Sequence, residues 1–81
     1  MVHELKTWTE HYQNVVRGLK PWEIRLNDRN YQIGDTLFLK EYFPNLEKYS
    51  GEEIKAEVTH ILHGGNFGIE KGYCIMTIKK L

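Results

Sequence analysis

The sequence predicts one α+β domain, in which a short N-terminal helix lies against a small barrel of about five mainly antiparallel strands. Three observations lead there. Apolar residues at helical spacing occur near the start, at Trp8, Tyr12, Val15 and Val16. From Trp22 onward the apolar period becomes two, as strands require. Turn chemistry separates these period-two stretches, so neighbouring strands are joined directly.

The elements follow in order. Residues 2–6, VHELK, read as a short strand. Thr7 or Thr9 offers an N-cap hydroxyl, and Glu10 adds negative charge to the first turn of a helix over 9–17. Gly18 suits the left-handed position after the last turn, and Pro21 lies beyond it. Trp22, Ile24 and Leu26 then alternate with Glu23, Arg25 and Asn27. The ordinary reading of such a strand buries the apolar face and solvates the charges.

Asn27-Asp28-Arg29-Asn30 is a turn, and Gly34-Asp35 is another. Residues 36–42, TLFLKEY, are rich in strand formers. Residues 43–51 contain Pro44, Asn45, Ser50 and Gly51 and read as a connection. A long strand is expected over 52–63, a glycine-rich loop over 63–68 with Gly72 at its far end, and a closing strand over 73–80. In that last strand Cys74, Met76 and Ile78 face opposite to Tyr73, Ile75, Thr77 and Lys79. So small a sheet would expose its edges, so closure of the barrel is expected.

Composition narrows the function classes. With 81 residues the chain forms one domain, and 41% hydrophobic against 27% charged residues makes it globular rather than disordered. No apolar run approaches bilayer length, and Met1-Val2-His3-Glu4 lacks a charged-then-apolar leader, so neither membrane nor secretion is expected. Cys74 is the only cysteine, which excludes an internal disulfide and a zinc knuckle and makes a reducing cytoplasm the expected location. Eleven basic residues balance eleven acidic ones, which argues against gripping long duplex DNA. A pocket for one nucleotide or a short RNA loop stays open.

Four candidate sites present themselves. His60 and His63 are three apart and point to opposite faces of a strand, so no metal site is expected. Gly64-Gly65-Asn66-Phe67-Gly68 lacks phosphate-loop spacing and precedes a strand, which makes it a hairpin connection or a pocket rim. Most of the ten aromatics serve the core, with Phe67 or Tyr73 available for stacking on a ligand. The fourth candidate is GLKPWEIR at 18–25. Lys20, Glu23 and Arg25 there can hold a phosphate or base edge, with Lys6 and Arg29 as further phosphate contacts. Alternatively, a desolvated Lys20 acts as base or nucleophile while Glu23 handles a second proton. The bland reading is an ion pair worth less than about 1 kcal/mol.

GLKPWEIR resembles the G-x-K-x-x-E-x-R signature of the ASCH domain, a small β-barrel superfamily related in fold to PUA domains. His3-Glu4-Leu5-Lys6, Asn27-Asp28-Arg29, Ile33-Gly34-Asp35 and Gly64-Gly65 through Gly72-Tyr73 extend the likeness to one ASCH-like family, DUF3850, of bacteria and phages. The resemblance implies an RNA- or nucleotide-binding cleft between helix and barrel, lined by Lys20, Glu23 and Arg25, with no cofactor. One ASCH branch consists of amidohydrolases that deacetylate N4-acetylcytidine with a lysine, a threonine three residues later and a distant glutamate. Lys20 matches that lysine and makes Lys20 and Glu23 the catalytic candidates. Glu23 stands in the threonine position, however, and no motif assigns the distant glutamate, for which Glu70 is chosen by position alone.

Overall fold

The computed structural model describes residues 1–81. Its elements are β1 (Val2–Trp8), α1 (Thr9–Val16), β2 (Trp22–Leu26), β3 (Thr36–Phe43), β4 (Lys48–His63) and β5 (Tyr73–Lys80). The five strands form one curled sheet in the order β1-β3-β4-β5-β2. Three pairings are antiparallel. β1 and β3 run parallel, because α1 and β2 intervene and supply the crossover that a parallel pair needs.

The core forms on the concave side. Leu5, Leu37, Leu39, Ala56, Val58, Cys74, Met76 and Ile78 come from the inward positions of four strands. Tyr12 and Val15 enter from α1, and Tyr31 from the segment before β3. The helix therefore plugs the open side of a half-barrel. Burial of each large apolar side chain contributes about 1.5–3 kcal/mol. No helix is long and apolar enough to cross a membrane.

The helix begins differently from expectation. Its N-cap is Trp8, with no side-chain cap. β1 runs directly into α1, which leaves no turn in which a threonine could fold back on the helix. Thr7 Oγ1 donates instead to the Leu5 carbonyl, and Thr9 Oγ1 donates to Glu41 Oε2 at 2.7 Å. Gln13 Nε2 donates to the same oxygen at 2.9 Å, so buried Glu41 ties the helix to β3. These hydrogen bonds hold the Glu41 carboxyl below the usual range.

The helix ends as the glycine predicts. Gly18 has φ +77°, its N–H donates to the Val15 carbonyl, and the Leu19 N–H donates to the Asn14 carbonyl. This pair of bonds is a Schellman turn. The Lys20 N–H also donates to Asn14, at 3.1 Å, so the turn fixes where Lys20 leaves the helix. A Cβ at Gly18 would meet no atom within 4 Å, so substitution costs backbone strain alone. Gly18→Ala is expected to cost about 1–2 kcal/mol in a urea melt.

Three expectations need correction. The connection placed at 43–51 is only a turn over 44–47, because Lys48 and Tyr49 already pair with Phe43 and Tyr42. An edge-on contact between the Tyr42 and Tyr49 rings, 5.1 Å apart, holds this hairpin extension.

The barrel does not close through its backbone. β1 and β2 are the two free ends of the sheet. Arginine side chains from β2 and the turn after it span the seam. Arg25 Nη1 donates to the Lys6 carbonyl at 3.0 Å, and Arg29 Nη1 donates to the Glu4 carbonyl at 3.1 Å. Glu4 and Lys6 are two residues apart on β1, so their carbonyls face the same edge.

β2 is also turned inside out. Glu23, at 2% exposure, faces inward, whereas Trp22, Ile24 and Leu26 are 43%, 48% and 50% exposed. The seam explains the inversion. Arg25 reaches β1 only from the inner face, and Glu23, on that face, accepts from its Nε at 3.0 Å.

Candidate functional site

The inverted strand builds a cleft. The Schellman turn delivers Lys20 beneath the helix C-terminus, and two residues later β2 carries Glu23 and Arg25 along the inner side of the seam. β1 supplies the opposite wall. The cleft holds about 180 Å³ and is lined by Lys6, Thr7, Trp8, His11, Lys20, Glu23, Ile24 and Arg25.

Its floor is an ionic trio in which Lys20 and Glu23 are buried and Arg25 is partly exposed. Arg25 Nε donates to Glu23 Oε2, and Arg25 Nη2 donates to Thr7 Oγ1 at 3.1 Å. Lys20 Nζ lies 3.6 Å from Glu23 Oε1, too far for a good hydrogen bond. Glu23 Oε1 is buried and has no hydrogen-bond partner. Lys20 is itself buried, with its ammonium 4.9 Å from the centre of the Trp22 ring. An unpaired buried carboxylate oxygen is costly unless a donor reaches it. The cleft floor thus holds one carboxylate oxygen that accepts no hydrogen bond, with an ammonium 3.6 Å away.

Lys6, Lys20, Glu23 and Arg25 meet in this cleft. Lys6 stands at its rim, with Nζ 4.3 Å from the centre of the Tyr42 ring. The other expected residues lie elsewhere. Arg29 is spent on the seam, and Phe67, 86% exposed with φ +57°, sits in the β4–β5 loop. Tyr73 is on the outer side of β5, opposite Leu26, and Glu70 is exposed in the loop before it. Sequence reasoning missed Thr7, Trp8 and His11 as lining residues. Parallel pairing of β1 with β3 aligns β1 beside the seam, and the sequence carries no local signal for that pairing.

Two other features are weaker candidates. A groove of about 490 Å³ beyond Lys6 is lined by Glu4, Leu5, Lys40, Tyr49, Gly51, Glu52 and Glu53. Its Lys40 and Glu4 already pair at 2.5 Å, and no buried polar atom in it awaits a partner. The smaller cleft is therefore the better candidate. Cys74 is fully buried in the core, and burial pushes its thiol pKa up, which leaves it unreactive. No three His, Cys, Asp or Glu side chains converge as metal ligands.

Comparison with known proteins places the chain in a family. Residues 2–78 match the family described as Domain of unknown function (DUF3850). Over 60 residues the chain is 35% identical to the "Uncharacterized 12.9 kDa protein in GpA 3'region" of Escherichia phage P2. That alignment covers 74% of this chain and 53% of the phage protein, so the chain spans about half the length of the curated relative it matches. With a match running from β1 through most of β5, this α+β half-barrel belongs to the DUF3850 family.

Proposed function

We propose that the domain binds a nucleotide-like ligand, free or as an unpaired nucleotide of RNA, in the cleft between α1 and the β1–β2 seam. The observation that carries this reading is Glu23 Oε1, buried and without a partner at the cleft floor. An exocyclic amine or ring N–H of a base supplies the missing donor, as carboxylates accept from base edges elsewhere. Lys20 Nζ beside it offers a donor to a ring carbonyl. Lys6 and His11 at the rim suit a phosphate. A volume of 180 Å³ equals about six waters, the scale of one heterocyclic base. The likeness to ASCH and PUA-like domains supports the same cleft.

Calorimetry with nucleoside monophosphates and short single-stranded RNAs tests this reading. Lys20→Met and Glu23→Gln should each weaken binding by about tenfold or more. The salt dependence should be shallow, because few cations take part. Equal affinity for wild type and both variants would sink the proposal.

One observation favours a second reading, a hydrolase acting on an N4-acylated cytidine. A lysine, a hydroxyl and a carboxylate (Lys20, Thr7 and Glu23) line the same cleft, although the hydroxyl comes from β1. Against it, Thr7 Oγ1 already donates to the Leu5 carbonyl. Release of acetate from N4-acetylcytidine, abolished in Lys20→Met, would establish the enzyme; no release would leave the binder.

A further inference from the structure

The inversion of β2 has a second consequence, on the outside of the sheet. Trp22, Ile24 and Leu26 face outward beside the outward residues of β5, in the registers Trp22–Thr77, Ile24–Ile75 and Leu26–Tyr73. β4 continues two of these rows with His60 and Leu62. Eight residues from three strands therefore make one sheet face without a permanent charge. With strands about 4.8 Å apart and about 3.4 Å of rise per residue, it covers about 15 × 20 Å. The helix lies against β1 and β3, on the other side of the core, and does not cover it. A five-residue end strand that places apolar side chains outward and charges inward calls for a partner there.

We propose that this face is a two-fold interface between copies of this chain. Charge favours that occupant. The central rows carry nothing that repels its own image, and the formal net charge of the chain is zero, so two copies approach without long-range repulsion. The ends of the face are charged. Glu57 and Lys79, partners in register, stand at one end, and Glu70 and Lys71 precede Tyr73 at the other. A two-fold axis between the faces, perpendicular to the strands, lays one end over the other, so each acid–base pair meets an acid–base pair. The same axis sets Ile24 opposite Ile24 and Ile75 opposite Ile75, in an isologous contact of two packed sheets. The face is smaller than the ~800 Å² per partner of a standard interface, so the dimer is weak.

Sedimentation velocity across about 10 µM to about 1 mM tests this, since a weak dimer forms within that range. Wild type should rise from monomer toward twice the monomer mass. Ile24→Lys and Ile24→Glu should each remain monomeric, while an equal mixture of the two should associate, because the opposed residues then carry opposite charges. Ile24 is half exposed, so both variants should keep the wild-type circular dichroism spectrum and a nearly unchanged melt. A wild type that stays monomeric at every concentration overturns the proposal and leaves the face to another protein. Association unaffected by either variant overturns it too, and loss without rescue in the mixture overturns the two-fold placement. Association is read with no cleft ligand added, so although Ile24 also lines the cleft, these readouts report on the outer face alone.

Discussion

Arg25→Ala should lower stability by about 3 kcal/mol, read as a shift of the urea midpoint with an unchanged slope. The loss has two sources. Arg25 holds the seam between β1 and β2 by donating to the Lys6 carbonyl and to Thr7 Oγ1. It is also the only residue that hydrogen-bonds the buried Glu23 carboxylate through its side chain, at 3.0 Å, with Lys20 remaining at 3.6 Å. Arg25 is partly exposed, but its removal leaves the buried Glu23 charge with only the more distant Lys20 ammonium, which costs more than an exposed ion pair contributes. The double variant Glu23→Leu/Arg25→Met should therefore be more stable than Arg25→Ala alone. A loss under about 0.5 kcal/mol for Arg25→Ala, the size of an ordinary surface change, would mean that the guanidinium does not hold the half-barrel together.

Asp35→Asn should cost about 2 kcal/mol near neutral pH and flatten the acid limb of the stability curve. Asp35 is buried, and burial alone would raise its pKa. Hydrogen bonds outweigh that effect and hold the carboxyl below the usual range. His3 Nε2 lies 2.8 Å from Oδ2, the Gln32 N–H donates to the same oxygen at 3.0 Å, and the Met1 α-amino group donates to Oδ1 at 3.2 Å. A carboxyl with a depressed folded-state pKa stabilises the fold fully above its unfolded value. That stability is lost as pH falls through the lower folded value, because the unfolded chain takes up the proton first. Glu41 acts in the same direction. Wild-type stability should thus decline below about pH 4, and Asp35→Asn should decline less steeply over the same range. Parallel acid limbs for the two proteins would show that Asp35 gives no pH-dependent support.

Local signals made most of the fold legible. The helix end at Gly18, the strand over 22–26 and the alternation of Cys74, Met76 and Ile78 against Tyr73, Ile75 and Thr77 all depend on short-range spacing or backbone freedom, and all appear as expected. The parallel β1–β3 pair and the open seam depend on contacts between residues 18 or more apart, which no local pattern encodes. β2 shows the limit most clearly. Alternation gives two faces but not which one turns inward, and burial preference alone chooses the wrong one. The deciding contact is Arg25 reaching β1. Lys20, Glu23 and Arg25 were legible as a cluster because they sit on one short stretch, whereas Thr7, Trp8 and His11 join the cleft only through folding. Phe67 and Tyr73 look available by chemistry alone, and topology carries them to the loop and the outer face.

The most direct test of the ligand cleft is an amide chemical-shift titration of isotope-labelled protein with the four nucleoside monophosphates and a short single-stranded RNA. Binding in the cleft should give saturable shifts at Lys20, Glu23 and Arg25 that extend to Thr7, Trp8 and His11 on the facing elements. Saturable shifts confined to the Phe67 loop, or none with any ligand, would contradict cleft binding and return Lys20, Glu23 and Arg25 to a purely structural role at the seam.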